Sequence, residues 1–193
     1  MGFVSILSQK SDKIVIFPRN KPFGTLFVID KSEYNYLKER RITMNFNNFT
    51  IKAQEAVQEA VNLTQAHNGQ VIEPIHLLQA VMKVGENVTK FIFQKLGVNG
   101  QQIANVVARQ IESLPKVSGG NPYLSRESND VLQKAVQYSK EMGDEFVSIE
   151  PIILALLVVK STASSILKDA GVSEKELREA INELRKGERV TSQ

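Results

Sequence analysis

Few residues in this chain have a type and spacing suited to chemistry. There is no cysteine, which excludes disulfides, thiolate zinc sites and cysteine nucleophiles. The two histidines are His67 and His76. A protein metal site usually draws three or more ligands from His, Cys or carboxylates, and no H-E-x-x-H spacing occurs. His76 sits among apolar neighbours in Pro74-Ile-His-Leu-Leu78 and reads as a buried or half-buried structural histidine. His67, just before Asn68-Gly69, reads as a surface residue at a helix end, where its charge suits the dipole. No serine lies in a G-x-S-x-G elbow. No G-x-x-x-x-G-K-[ST] is present, so the phosphate cradle of a P-loop is missing. Gly119-Gly120 is a linker, with no strand before it and no helix starting on it. No catalytic residue, metal ligand or cofactor-binding residue is expected.

The elements that position these side chains come from an internal repeat. Thr50-Ile-Lys-Ala-Gln-Glu-Ala-Val-Gln-Glu-Ala-Val lies over Ser125-Arg-Glu-Ser-Asn-Asp-Val-Leu-Gln-Lys-Ala-Val, Glu73-Pro74-Ile75 returns as Glu150-Pro151-Ile152, and Gly97-Val98 returns as Gly171-Val172. Three blocks in one order, at offsets of 75, 77 and 74 residues, make a tandem repeat of four helices per copy. The first helix spans Ile51 to Ala66 with Thr50 as N-cap, and Ala53, Ala56, Val57, Ala60 and Val61 form one buried stripe. Its copy, capped by Ser125, buries Val131, Leu132, Ala135 and Val136. Pro74 and Pro151 each open a second helix. Gly97 and Gly171 close helices in the left-handed conformation. Ser173-Glu-Lys-Glu176 reads as a capping box. The run Ile152–Val159 matches Ile75–Val84 and is core.

Leu114–Pro122, LPKVSGGNP, reads as an exposed linker. The expected organisation is a leader over 1–43, repeat one over 44–114, a linker over 115–122, repeat two over 123–186, and a polar linker over 187–193. The fold is all-α, with two four-helix units packed about a pseudo-twofold. In the leader, Ile14–Phe17 and Thr25–Ile29 are two β-runs, with a short polar helix near Ser32 to Arg40. They make at most a loosely held hairpin.

The net charge of +3 invites a nucleic-acid reading. Residues 1–43 carry eight Lys/Arg against four Asp/Glu, whereas 44–193 carry sixteen against seventeen. The basic excess belongs to the leader, and the near-neutral body lacks the stripe that phosphate binding needs. No apolar run approaches the ~20 residues that span a bilayer, and the N-terminus lacks a basic n-region and an A-x-A-like site. Neither nucleic acid nor membrane is expected as a partner. The absence of cysteine fits a cytoplasmic setting.

Glu73-Pro74-Ile75-His76-Leu77-Leu78, its weaker copy Glu150-Pro151-Ile152-Ile153-Leu154-Ala155, the capped first helices and the following Leu96-Gly97-Val98 resemble the Clp N-domain, the Clp repeat. The linker LPKVSGGNPYLS and Gly143-Asp144-Glu145-Phe146 are more similar to the ClpB type than to the protease-coupled ClpA and ClpC types. Residues 44–193 carry the resemblance, and residues 1–43 match nothing in it. The shift at Met44 suggests an upstream in-frame read with Met44 as the start, the alternative being a genuine hairpin appendage.

The resemblance implies a domain that recognises unfolded or aggregated polypeptide for an AAA+ ring, in a disaggregating chaperone of the heat and stress response. ATP and Mg would then belong to AAA+ modules that this sequence does not contain, and the chain itself would not be an enzyme. The alternative within the family is adaptor docking of the ClpC or ClpA kind. The substrate-contacting positions implied are Thr50, Asp144 and Glu150 along a groove between the repeats, with Val131 and Leu132 as candidate apolar groove residues. Each has a plainer reading: Thr50 is a helix cap, Asp144 a solvated loop acid, and Glu150 an N-cap acid favoured by the dipole. Acid–base work by the two carboxylates would need them about 5–10 Å apart around a pocket, and no pocket signature accompanies them.

Overall fold

The computed structural model describes residues 46–117 and 122–192, together with three strands nearer the N-terminus. The chain divides into two compact units, Met1–Asn45 and Phe46–Gln193. In the first, β1 (Phe3–Ser5), β2 (Lys13–Phe17) and β3 (Phe27–Asp30) form an antiparallel sheet in that order. Phe3 is in register with Phe17 in the first pair, and Ile14 with Ile29 in the second. The two expected β-runs are β2 and β3. The difference is β1, a third strand where a two-stranded hairpin was expected. The expected polar helix near Ser32 to Arg40 lies outside the described residues.

The second unit is helical. After a 3-10 turn at Phe46–Asn48 come α1 (Ile51–Ala66), α2 (Pro74–Val84), α3 (Glu86–Lys95) and α4 (Gly100–Glu112). They are followed by α5 (Arg126–Glu141), α6 (Ile149–Val158), α7 (Thr162–Asp169) and α8 (Glu174–Arg185). Local signals start and stop these helices as the spacing predicts. The Thr50 side chain accepts from Ala53 N–H at 3.2 Å, and Ser125 accepts from Ser128 N–H at 3.0 Å. Gly97 and Gly171 have φ of 66° and 92°. Each sits in a Schellman closure, with Val98 N–H reaching Phe93 O at 2.8 Å and Val172 N–H reaching Leu167 O at 3.0 Å.

Two helix starts differ from expectation. α6 begins at Ile149 with Ser148 as N-cap, so Pro151 lies inside the first turn. It is tolerated there because the first N–H groups of a helix have no intrahelical acceptor anyway. Glu150 is therefore inside the helix rather than its cap. At α8, Ser173 accepts from Glu176 N–H at 3.3 Å, but the Glu176 carboxylate takes the Ser173 hydroxyl at 2.6 Å instead of completing the box.

The repeats interlock at the segments leading into their helices. Phe49, just before α1, bridges in parallel to Val147, just before α6. The partner pairing joins β4 (Val71–Ile72), just before α2, to β5 (Tyr123–Leu124), just before α5, also in parallel. Thr50 N–H donates to Val147 O at 3.0 Å, and its repeat mate Ser125 donates to Ile72 O at 3.0 Å. The same bond is made twice, each time from one repeat to the other, which is what a pseudo-twofold requires. In the middle, α2 packs against α6. Every residue of α6 from Ile149 to Leu157 is buried, so this helix shows no amphipathic period. Among the described residues no single helix is long and apolar enough to cross a membrane.

Candidate functional site

The Phe49–Val147 bridge brings the N-terminus of α1 alongside the N-terminus of α6, and a cavity of about 650 Å³ opens at this seam. Repeat one contributes Thr50, Ile51 and Lys52 from α1, and Val84 to Val88 from the corner between α2 and α3. Repeat two contributes Ser148, Ile149 and Glu150. The corner can come this close because Gly85 has no side chain. A Cβ there would meet Ile149 Cγ2 at 2.8 Å and Val81 O at 2.9 Å, inside van der Waals contact. Ile51 is 57% exposed at the rim, a large apolar side chain left in water beside hydroxyl and carboxylate groups. Lys52 reaches across to Val84 O at 3.4 Å, and Lys83 pairs with Glu59 at 2.7 Å.

Behind this seam lies a residue that sequence reasoning missed. The Arg185 guanidinium donates to Asp144 Oδ2 at 2.7 Å, to Ser148 Oγ at 2.9 Å and to Glu150 Oε1 at 3.1 Å. The Asp144 side chain is 0% exposed, that of Arg185 9% and that of Glu150 11%. A planar fork of five N–H donors suits such a three-way contact, which a lysine could not reproduce. Asp144 is placed there by the end of α5. Gly143, at φ 76°, turns the chain, and Asp144 N–H bonds back to Ser139 O at 2.9 Å.

The chain after α8 comes back to the same spot. Lys186 and Gly187 are both left-handed, with φ of 50° and 85°. Val190 N–H then donates to Asp144 Oδ1 at 3.0 Å, and Val190 O accepts from Glu145 N–H at 2.9 Å. The Arg189 side chain crosses Gly143, where an added Cβ would stand 3.2 Å from Nε. Ser192 reaches the seam cavity.

Of the residues expected to meet substrate, the structure brings Thr50 and Glu150 to one cavity. Asp144 is not among its lining residues, both its carboxylate oxygens being engaged by Arg185 and Val190. It is not the solvated loop acid of the plainer reading. Val131 and Leu132 are corrected outright. Both are 0% exposed in the core, and the apolar side chain presented at the seam is Ile51. The signal for Arg185 was a break in the repeat: at the offset of 74 its mate is Ile111, which is 1% exposed. Asp144 similarly replaces Gly69, so the Asp–Arg pair exists in the second repeat alone.

The first-repeat mate of Glu150 is Glu73, and it is handled differently. It caps α2 reciprocally with His76, whose Nδ1 accepts from Glu73 N–H at 3.0 Å. Burial, reinforced by His67 and opposed by the Glu73 backbone bond, lowers the His76 pKa to about 4. Burial also raises the Glu73 carboxyl, a Ser125 hydrogen bond opposes it, and Glu127 adds to the rise. His67 caps the end of α1 half-buried, between Leu63 O at 2.8 Å and the Glu112 carboxylate at 2.9 Å.

The family model described as the Clp repeat (R) N-terminal domain matches residues 48–170. The chain is 80% identical over 150 residues to the chaperone protein ClpB of Bacteroides thetaiotaomicron and 56% identical over 150 residues to that of Porphyromonas gingivalis. In both cases the match covers 78% of this chain and 17% of the relative, so it spans about a sixth of their length. Among solved structures, the Hsp104 N-terminal domain from Candida albicans superposes with a TM-score of 0.68 at 23% identity, over 76% of this chain and 97% of that one. A complex of the ClpV N-domain with a VipB peptide gives 0.61 at 16% identity, over 74% and 89%. These two likenesses concern the fold.

Proposed function

The chain belongs to the Clp repeat N-terminal domain family, and from that premise we propose that it captures unfolded or aggregated polypeptide for a ClpB-type chaperone. The observation that carries this reading is the seam cavity. It joins a hydroxyl from repeat one, Thr50, to a carboxylate from repeat two, Glu150, beside an exposed apolar side chain, Ile51. Such a surface suits segments of an unfolded chain, in which apolar and basic or amide-bearing residues alternate without a fixed shape. The ClpV N-domain holds a peptide in its own complex, which supports peptide recognition by this fold. The ATP-driven ring and its Mg-dependent hydrolysis would lie in the part of the ClpB relatives that this chain does not span, and the working compartment would be the cytosol. The adaptor-docking reading of the ClpA and ClpC kind predicts affinity for a folded protein instead.

Fluorescence anisotropy separates the two. A labelled, permanently unfolded model protein is expected to bind the chain weakly, because a shallow seam buries little area, while its native form does not bind. Ile51→Ser should weaken binding about 5- to 10-fold, the size of one apolar side chain lost from a contact. Equal affinity for native and unfolded forms would overturn the proposal.

A further inference from the structure

The chain itself lays a segment behind the seam. Val190 meets the loop after α5 through two main-chain hydrogen bonds: its N–H goes to Asp144 Oδ1 at 3.0 Å and its C=O takes Glu145 N–H at 2.9 Å. A donor and an acceptor from one residue are what any extended, non-proline residue offers. The loop edge therefore reads backbone and not side-chain identity, the selectivity a site for unfolded chains requires. Apart from the Arg189 side chain lying across Gly143, the segment that provides this residue is lightly held. Residues 186–189, 191 and 192 are exposed, and Val190 is half-buried. It buries little apolar surface, and the left-handed pair Lys186–Gly187 that aims it back lies outside any helix. Ser192 carries the segment on to the cavity that Thr50 and Glu150 line.

We propose that residues 186–192 form a displaceable strap, whose main chain occupies the Asp144–Glu145 edge in place of an extended polypeptide and is expelled when one binds. The proposal rests on the reading of the seam as a polypeptide site. It adds that the apparent affinity is set partly by the strap, since a site filled from within is open only in a fraction of molecules. Arg185 would hold Asp144 and Glu150 in place whether the strap or a partner lies over them.

Val190→Pro in the full chain removes the N–H and leaves the helices untouched. The variant should bind a labelled, permanently unfolded protein about 3- to 10-fold more tightly than the unaltered chain, the scale of one or two lost hydrogen bonds. Amide exchange gives an independent reading. In the unaltered chain, saturating polypeptide should speed exchange at Val190 while Glu145 stays protected by its new partner. In the variant without ligand, Glu145 should exchange fast. Unchanged or weaker binding by the variant, with the unaltered chain still binding, would overturn the strap and leave the seam reading standing. Failure of both to bind would overturn the seam reading and the strap with it.

Discussion

A guanidinium that meets Asp144, Ser148 and Glu150 at once does for these side chains what solvent would otherwise do. Removing it leaves two carboxylates close together, one of them with a side chain 0% exposed. Breaking a buried pair on one side costs about 3–5 kcal/mol because the remaining charge is unpaired. Arg185→Met is thus expected to lower unfolding stability by about 3 kcal/mol in urea titration. Adding Asp144→Asn should restore part of the loss, which a purely packing role for the Arg185 stem would not allow. The acids themselves were legible in the sequence, but their relation was not. Arg185 closes a contact across 41 residues to Asp144, and no local pattern encodes a distance of that kind. The traces were two exchanges between repeat mates, Gly69 for Asp144 and Ile111 for Arg185, the second a charge where the copy has core.

Helix ends were the most legible elements, because their chemistry is local. Thr50, Ser125, Gly97 and Gly171 act where their types predict. α6 was mis-phased because a helix buried on all sides has no polar face to mark its start, and Ser148 rather than Glu150 caps it. The Glu73–His76 box at α2 predicts a pH response. A histidine held at about 4 when folded and near 6.5 when unfolded binds its proton first in the unfolded state. Stability is therefore complete above the unfolded value and falls as pH drops from 6.5 to 4, by up to about 3 kcal/mol. Glu73 acts in the opposite sense: its raised carboxyl takes up a proton more readily in the folded state and offsets part of the loss. Urea unfolding at pH 7.5, 5.5 and 4.5 should show this fall in the unaltered chain. His76→Asn keeps an acceptor for Glu73 N–H and should flatten it.

At the scale of the whole helical unit, each repeat lends its lead-in segments to the other, and α2 and α6 share one core. The two copies should then unfold in one transition. Phe49 is 0% exposed at the bridge to Val147. Phe49→Ala is expected to cost about 3–5 kcal/mol and to speed amide exchange in α4 and α8 alike, although neither adjoins it in sequence. A loss confined to α1–α4 would contradict this. The repeat itself was readable as order and offset along the chain. That its copies exchange lead-in segments, so that the exposed apolar rim is Ile51 and not Val131, follows from tertiary pairing and left no mark in either copy alone.

The crossed pairing of Phe49 with Val147 and of Ile72 with Leu124 also bears on how the molecule is made. A ribosome delivers residues 46–117 first, and at that moment the acceptors at Asn48 and Ile72 have no donors, since Val147 and Ser125 have yet to be synthesised. Half-born, the unit can form helices but cannot finish either seam. For that interval its unpaired seam edges stay open to solvent and to other chains.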